Sequence, residues 1–446
     1  MYKELFDFLS IPSISVPSVY WSNNIQEVAQ WLKEHLSHTK KLKSKIIETI
    51  YDPLIYAEYV HHKDAYTLLF YSHADVQPAD KTKWNTDPFV PVIKNGKIFC
   101  RGVSDSKGHL FAYIEGIKRA IKNKNITTNV KFIIDCDEEA SQVSLPAFLK
   151  SRESKKLLKA DGIVIAAGSM IDKNTPSICY GYRGILALEI KVKTLKQNLH
   201  SGSFGGVFQN AAEYLSKILS DMRDHETDKI LIQKFYENVA HYKDPVPGVV
   251  LDCCRDQISR SSRDLREWGS CISSIVNDSL RSRLCARPTF EIHSIVCSTD
   301  AEKLQYVVVS EASAKISFRL VMNQDPKEIS QKVMSFLSDE EKKYGIKIDV
   351  TELDSAVPVI VNKENTYLGE KLRETLKKVT KKDAVWYLEG GCVPVVDDFI
   401  KRKVSNEIFM VGFGSPDDNI HGPNERLSVK DFEKEIDFAE ALVSSL

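Results

Sequence analysis

The first 180 residues alternate short apolar runs of strand length with amphipathic segments of helical spacing. The apolar runs cover 65–71, 130–134 and 162–166, and the helical segments cover 26–38 and 109–120. Strands without a polar face that alternate with helices are typical of a mostly parallel sheet covered on both sides. This pattern therefore predicts an α/β fold built on such a sheet.

The middle of the chain follows a different pattern. Residues 185–192 (ILALEIKV) and 315–321 (KISFRLV) alternate apolar and polar side chains, and 325–337 has the spacing of a helix that begins near Pro326. Strands with one polar face and flanking helices indicate a smaller α/β domain. Segment 222–290 is charged and irregular, and no element is assigned to it.

The first pattern returns near residue 355, with a helix at 366–379 and a strand at 407–412. A chain of 446 residues exceeds what one core usually fills, so two domains are expected. We predict one domain at 1–182 and 355–446, with the smaller domain at 183–354 inserted into it.

The charge of the chain is balanced, with 61 Lys and Arg against 61 Asp and Glu. A neutral chain has no global field that attracts nucleic acid or an acidic membrane surface, so neither is expected as a partner. The Lys-rich stretches at 40–45 and 119–124 are predicted to be solvated helix faces rather than a polyanion site.

Three features favour a cytoplasmic protein. Lys3, Glu4 and Asp7 lie where a secretory signal would need an apolar core, and no run approaches 18 apolar residues. The nine cysteines include no Cys-x-x-Cys pair, and Cys253 and Cys254 are adjacent, which is poor geometry for a mutual disulfide. We expect a reduced protein without a membrane span.

Imidazole and carboxylate groups follow the predicted strands. His73 and Asp75 come just after the run at 65–71, and on an extended segment they point the same way. A carboxylate beside an imidazole fixes the tautomer of a metal ligand. Asp105 lies in a Gly-containing turn, where its two oxygens suit a bridge between two cations. A purely structural His73 and a helix-capping Asp105 remain open alternatives.

Two further stretches carry similar groups. Glu138 and Glu139 follow the run at 130–134, and a buried carboxylate pair needs a cation or a shared proton. One Glu can ligate while the other moves a proton, as metal-assisted hydrolysis requires. His421 lies in a loop rich in Asp and Glu. The alternatives are two solvated glutamates and an ordinary loop histidine. Ligands gather beyond the carboxyl ends of strands in open α/β sheets, so the pattern favours a metal site.

A series of motifs runs in order through most of the chain: SHADVQP, DPF, NGKI, RGVSDSKG, DEEAS, YGYRG, LHSGSFGG, FRLVMNQDP, EGGCVP and HGPNE. With these motifs the chain resembles the co-catalytic zinc metallopeptidases, the family of carnosinase-type dipeptidases, aminoacylase and carboxypeptidase G. The LHSGSFGG and EGGCVP stretches are most similar to the dipeptidase branch. The resemblance implies a zinc-hydrolase catalytic domain with an inserted lid and dimerisation domain.

The resemblance also implies two zinc ions. By this comparison His73 and a second carboxylate hold one ion, Glu139 and His421 hold the other, and Asp105 bridges them. Asp75 would then orient His73.

The same resemblance implies roles around the substrate. Glu138 would be the general base, and His200 of the inserted domain would polarise the scissile carbonyl in the other subunit of a homodimer. Arg319 and Gly391 would contact the substrate. The expected reaction is hydrolysis of an amide bond in a dipeptide, a short peptide or an N-acyl amino acid.

Two positions depart from the family pattern. Ala167 stands where the family has an Asp ligand, and loss of that carboxylate should weaken one zinc site. An introduced substitution, which we favour, and natural divergence both account for it, and Asp172 is a candidate replacement. Leu388 stands where the dipeptidase branch usually has Arg, which makes a specialised amide, such as a biosynthetic intermediate, a plausible substrate. The alternative function is a catalytically silent binding protein that keeps the substrate cleft.

Overall fold

The structure is a computed structural model, and it describes residues 1–39, 41–140, 142–239, 285–299 and 303–446. The chain divides into two compact units. The first comprises residues 1–180, 361–387 and 395–446, and the second comprises residues 181–360 and 388–394. Much of segment 222–290, with Cys253 and Cys254, lies outside the described residues.

Eleven α-helices lie in the described parts of the chain: α1 (Tyr2–Leu9), α2 (Asn23–Ser37), α3 (Lys107–Asn123), α4 (Ser144–Leu149), α5 (Arg152–Leu157), α6 (Ser201–Phe204), α7 (Ala211–Asp221), α8 (Pro326–Tyr344), α9 (Tyr367–Thr380), α10 (Pro394–Lys401) and α11 (Val429–Val443). A short 3₁₀-helix spans Lys81–Lys83. None of these helices is long and apolar enough to cross a membrane.

The strands within the same described ranges are β1 (Lys43–Ile47), β2 (Leu54–Tyr59), β3 (Thr67–His73), β4 (Val92–Lys94), β5 (Lys97–Phe99), β6 (Asn129–Asp135), β7 (Gly162–Ile165), β8 (Ser177–Tyr182), β9 (Gly184–Lys193), β10 (Leu199–His200), β11 (Arg223–Asp224), β12 (Lys229–Ile230), β13 (Thr289–Cys297), β14 (Val307–Val308), β15 (Glu311–Leu320), β16 (Lys347–Ala356), β17 (Val359–Ile360), β18 (Val385–Glu389), β19 (Ile408–Met410) and β20 (Arg426–Ser428).

The first unit is built on a sheet with the strand order β1-β2-β6-β3-β7-β19-β8. Its four central strands, β6, β3, β7 and β19, are parallel, and antiparallel strands flank them on both sides. The predicted α/β fold is thus confirmed, with the parallel arrangement confined to the centre of the sheet. The central strands are buried almost throughout, which explains why their sequences show no polar face.

Helices α3 and α11 of the first unit pack closely against each other. Gly116 of α3 makes this approach possible, because a Cβ atom there would lie only 2.4 Å from the carbonyl oxygen of Ile436. α3 begins directly after the loop that carries Asp105. The packing of α3 therefore fixes one end of that loop.

The basic stretch at 40–45 does not form the predicted helix face. Lys43 and Lys45 lie on β1, an edge strand, and Lys41 precedes it. All three are exposed, so the expectation of solvation was right and the expectation of a helix was wrong. The stretch at 119–124 does lie on the last turns of α3 and its C-cap.

The second unit contains a four-stranded antiparallel sheet with the order β13-β15-β9-β16. Leu186, Leu188, Ile190 and Val192 of β9 point to its buried face. They share a core with apolar side chains of α7 and α8, because residues two apart on a strand face the same side. The sheet therefore has the one-sided burial that the alternating sequence predicts.

Candidate metal centre

The carboxyl ends of two neighbouring parallel strands carry the first candidate ligands. His73 is the last residue of β3, and it pairs in register with Asp135, the last residue of β6. Glu138 and Glu139 follow β6 within four residues. Parallel strands end at the same edge of a sheet, so these side chains meet although more than 60 residues separate them.

Asp105 lies between two imidazoles. Its Oδ1 atom is 3.1 Å from Nε2 of His73, and its Oδ2 atom is 2.9 Å from Nε2 of His421. It does not cap α3, because Ser106 occupies the N-cap position. The helix-capping alternative is therefore wrong, and the carboxylate is arranged as a bridge.

Glu139 completes a cluster with these groups. Its Oε2 atom lies 3.1 Å from Nε2 of His421 and accepts a hydrogen bond from Nε2 of Gln77 at 3.0 Å. Only 5% of the Glu139 side chain is exposed, whereas 25% of the Glu138 side chain is. Donor atoms of His73, Asp105 and Glu139 all lie within 4.8 Å of one another. Glu139 is therefore not a solvated loop residue.

Asp75 connects the two sides of the cluster. One carboxylate oxygen, Oδ1, lies 3.4 Å from Nδ1 of His73, and the backbone carbonyl of Asp75 is 3.2 Å from the same nitrogen. The other oxygen, Oδ2, accepts hydrogen bonds from the Ser15 hydroxyl at 2.6 Å and the Glu139 backbone N–H at 2.9 Å. Asp75 thus holds His73 and Glu139 in a fixed relation.

The electrostatics of the imidazoles reflect an excess of negative charge. Burial lowers the pKa of His73, but the carboxylates of Glu138, Asp105 and Asp75 outweigh it and raise the pKa well above its ordinary value. Hydrogen bonds to carboxylates and their charge raise the pKa of His421 to about 10. A divalent cation at this position would neutralise the same charge.

The pKa values of two carboxyl groups in the cluster, Asp105 and Glu138, shift in opposite directions. Burial raises the pKa of Asp105, but its hydrogen bonds to His421 and His73 hold the pKa well below its usual range. Burial raises the pKa of Glu138 to about 7, with the negative charge of Asp105 adding to the shift and His73 opposing it. Glu138 therefore takes up a proton more readily than Asp105 does, although both belong to the same cluster.

The donor set fits a divalent metal ion. Oε1 of Glu139, one of the candidate ligands, is buried without a hydrogen-bond partner among the described residues. Buried carboxylate oxygens are costly unless a proton donor or a cation satisfies them. Two imidazoles and several carboxylates in one cluster are the ligand types that zinc and similar ions prefer.

Ala167 lies two residues beyond the end of β7. The pairing of Tyr71 with Ile165 places the end of β7 beside the end of β3, where His73 lies. Ala167 therefore occupies the edge of the sheet that carries the candidate ligands, without a donor atom of its own. The proposed replacement, Asp172, uses both carboxylate oxygens within its own turn, accepting hydrogen bonds from Asn174 and Thr175.

A buried ion pair, to which sequence reasoning gave no role, supports the loops that carry Asp105 and His421. Glu425 accepts hydrogen bonds from Nη1 of Arg101 at 2.7 Å and from the backbone N–H groups of Gly102, Ser104 and Asp105 at 3.1, 2.9 and 3.0 Å.

The other terminal nitrogen of Arg101, Nη2, donates to the backbone carbonyl of His421 at 3.0 Å. Arg101 lies in the motif RGVSDSKG and Glu425 in the motif HGPNE, and this position was the only sign in the sequence that the two residues have a role at the site. That role, support of the Asp105 and His421 loops, depends on a contact between the two motifs that only the structure shows.

The remaining predicted site residues belong to the second unit. His200 ends β10 and is exposed, and Arg319 lies on β15, paired in register with Ile185 and Thr289. Gly391 accepts a hydrogen bond through its carbonyl from the backbone N–H of Arg183 at 3.1 Å.

Leu388, where an Arg was expected, packs its side chain over Gly181 of β8, since a Cβ atom at Gly181 would lie 2.7 Å from it. Arg183 supports the neighbouring loop, because its Nε donates to the carbonyl of Gly390 at 2.8 Å.

Comparison with known protein families supports a metal-dependent hydrolase, as the cluster of candidate ligands does. The family model described as "Peptidase family M20/M25/M40" matches residues 69–445. The chain belongs to this family. The match covers every candidate ligand and most of both units, and it confirms the resemblance seen in the sequence motifs.

Curated relatives are similar over most of their length. The chain is 28% identical over 387 residues to human Beta-Ala-His dipeptidase, covering 84% of this chain and 74% of that protein. It is 27% identical over 399 residues to the Cys-Gly metallodipeptidase dug1 of Schizosaccharomyces pombe, covering 86% and 80%.

Solved structures of the family share the fold. An M20 family metallo-carboxypeptidase from Sulfolobus solfataricus, Sso-CP2, aligns with a TM-score of 0.84 at 27% identity, covering 99% of this chain and 98% of that one. Human carnosine dipeptidase 1 aligns with a TM-score of 0.82 at 24% identity, covering 100% and 96%. This M20 chain is therefore a dipeptidase-like, metal-dependent hydrolase of peptides.

Proposed function

We propose that this M20 chain is a zinc-dependent amide hydrolase that acts on a dipeptide, a short peptide or an N-acyl amino acid. The observation that carries the proposal is the Asp105 carboxylate, whose two oxygens face His73 on one side and His421 on the other. The names of the relatives, Beta-Ala-His and Cys-Gly dipeptidases, support a small amide substrate.

The ligands divide into two positions. Asp105, Glu139 and His421 would hold one zinc ion, and three protein ligands suit a zinc with an open coordination site. His73 and Asp105 would remain for the other ion. Bound zinc supplies a Lewis acid that polarises the scissile carbonyl and lowers the pKa of a water molecule.

Glu138 is the proposed general base. Its Oε2 atom lies 4.0 Å from Nε2 of His73, at the exposed side of the cluster, and its side chain is more accessible than that of Glu139. As a carboxylate it takes a proton from the attacking water, and as a carboxylic acid it returns that proton to the leaving amine. Asp75 acts through His73, by holding the imidazole in one orientation.

Ala167 limits the activity of this chain. With only two protein ligands, the position at His73 should bind zinc weakly, so slow turnover with retained substrate binding is the expected behaviour. A catalytically silent binding protein is the second candidate function, and the missing carboxylate at position 167 is the observation that favours it.

Further assignments follow from family membership. The second unit would act as a lid and as the dimerisation domain of a homodimer, with His200, Arg319 and Gly391 contacting the substrate. Leu388 in place of Arg favours a specialised amide over a plain dipeptide. The division into a catalytic domain at 1–182 and 355–446 and a lid domain at 183–354, and the cytoplasmic location, remain predictions.

Metal content and turnover together test the proposal. Zinc per chain and hydrolysis of a panel of dipeptides and N-acyl amino acids would be measured for the parent chain, for Ala167→Asp and for the matched neutral variant Ala167→Asn. We expect about one tightly bound zinc in the parent, about two in Ala167→Asp, and a rise in turnover only with the Asp.

Two results would contradict the proposal. Two tightly bound ions with full turnover in the parent would show that position 167 is not a missing ligand position. Absence of turnover in Ala167→Asp despite two bound ions would favour the silent binding protein.

A further inference from the structure

A second group of imidazole and carboxylate side chains lies between α1 and α2, apart from the candidate metal centre. One donor atom from each of Glu4, His35 and His38 lies within 4.8 Å of the other two. Zinc–ligand bonds of about 2.0–2.2 Å put two ligands of one tetrahedral ion about 3.4 Å apart. Small rotations of the partly exposed Glu4 and the exposed His38 would bring all three donors onto one ion.

His35 is fixed in place before any ion binds. It is only 2% exposed, and its ring stacks on Trp31 and on Phe111 at centroid distances of 4.6 and 5.3 Å. A ligand whose rotamer is locked by packing loses little conformational entropy when it binds a metal. His35 therefore serves as the preorganised member of the group.

Nε2 of His35 has a carboxylate partner of the kind that supports a ligating imidazole. This nitrogen lies 2.9 Å from Oε1 of Glu115. Nζ of Lys118 lies 3.1 Å from the same nitrogen and 2.7 Å from the same carboxylate oxygen, so Lys118 and Glu115 balance each other's charge. In the tautomer in which Nε2–H donates to Glu115, the lone pair lies on Nδ1, and a ligating histidine commonly binds a carboxylate through its other ring nitrogen in this way.

The backbone favours a cation at the same place. His35 lies in the last turn of α2 and His38 is its C-cap, so the two imidazoles are three residues apart on neighbouring turns. The C-terminus of a helix carries partial negative charge, which attracts cations. Glu4 adds a carboxylate from the first turn of α1.

We propose that Glu4, His35 and His38 form a binding site for a divalent transition metal such as Zn²⁺, which ties α1 to the end of α2. Two imidazoles and one carboxylate are a donor set that zinc and its neighbours accept, with a water in the fourth position. The site is separate from the M20 centre and does not depend on the proposed reaction.

Calorimetric titration of the metal-free full chain with Zn²⁺ alone tests this site. The exposed ligands are changed, in His38→Ala and Glu4→Gln, because removal of the packed His35 would disturb the fold. His62→Ala is the matched control, since His62 is also an exposed histidine. All titrations are repeated in a His421→Ala background, which removes a ligand of the M20 centre.

We expect His38→Ala and Glu4→Gln to lose one bound ion per chain, or to bind it at least about tenfold more weakly, in both backgrounds. His62→Ala should keep it. Zn²⁺ should also raise the Tm of the parent more than that of His38→Ala, because an ion that binds only the folded state stabilises it. Equal numbers of ions, equal affinities and equal Tm shifts in the parent, His38→Ala and Glu4→Gln would overturn the proposal.

Discussion

The buried carboxylate of Glu425 accepts a hydrogen bond from the backbone N–H of Asp105 at 3.0 Å, across 320 positions of sequence. The same carboxylate pairs with Arg101, which in turn donates to the carbonyl of His421. One buried ion pair thus holds the backbone of two candidate metal ligands. Such support around a metal site fixes ligand orientation and raises affinity.

Glu425→Gln should weaken zinc binding by about 10–100-fold, because the Asp105 loop and the His421 carbonyl lose their shared support. It should also lower the free energy of unfolding by about 3 kcal/mol, since Arg101 remains buried without its charged partner. Competition with a chromophoric chelator measures the affinity, and urea denaturation measures the stability.

Glu435→Gln is the matched control for this variant. Glu435 is equally buried and binds Nδ1 of His109 at 2.7 Å, between α11 and α3. Its loss should lower stability without a comparable change in zinc affinity. If both variants weaken zinc binding equally, Glu425 acts only through overall stability.

Glu138→Gln, placed in the Ala167→Asp background, should retain metal and lose turnover by about 10²–10⁴-fold, the range that general-base catalysis contributes. The amide keeps the shape of the side chain but cannot accept the proton. Steady-state kinetics with the best substrate of the panel, together with metal analysis, measures both effects. A loss of less than tenfold would remove Glu138 from this role.

Glu139→Gln in the same background distinguishes the two neighbours. Glu139 lies 3.1 Å from His421 and is nearly buried, as a ligand should be. Its substitution should lower zinc content as well as turnover. Retention of both ions by Glu139→Gln would contradict its assignment.

The stability of the first unit should depend on pH through Asp52. This side chain is 1% exposed, and its Oδ1 accepts the backbone N–H of Trp21 at 2.6 Å. Burial raises its pKa to about 6 from 3.8, against the opposing effect of the Trp21 N–H. The folded state therefore binds the proton more tightly than the unfolded state does. The resulting contribution of Asp52 to the free energy of unfolding is fully present below the unfolded pKa and is lost as pH rises through about 6.

Asp52→Asn keeps an oxygen acceptor and removes the titration. The difference in free energy of unfolding, variant minus parent, should rise with pH. It should be about 2 kcal/mol larger near pH 7.5 than near pH 4.5. Urea denaturation at a series of pH values gives the difference, with the exposed neighbour Glu48→Gln as control. A pH-independent difference would show that Asp52 titrates normally in the fold.

Leu188→Ala should destabilise the second unit by about 2–5 kcal/mol. Leu188 is fully buried on β9, opposite Ile316 of β15, and its truncation leaves a cavity in the core. Glu189→Ala, the next residue on the other face of the strand, should cost less than about 1 kcal/mol. Urea denaturation of both variants compares the two faces, and equal losses would contradict the one-sided core.

Local pattern predicted four of the helices, α2, α3, α8 and α9, and six of the strands, β3, β6, β7, β9, β15 and β19, but not all of their ends. The helix expected at 325–337 extends to Tyr344 in the structure. Its last two turns are polar and carry no apolar periodicity, so the sequence pattern placed its end too early. Gly345 ends it in the left-handed conformation, at φ 65°, which glycine adopts without strain. The strand predicted at 407–412 is β19, Ile408–Met410, since pairing rather than hydrophobicity sets where a strand stops.

The sequence by itself determined the α/β pattern, the residue types of the candidate ligands and their positions just beyond the strands. Periodicity and motif order are local properties, so one chain suffices to see them. Only the tertiary structure decided that Asp105 lies between His73 and His421, and that Arg101 and Glu425 hold both loops. These contacts join residues up to about 320 positions apart, and they depend on packing in three dimensions, which leaves no periodic signal in the sequence.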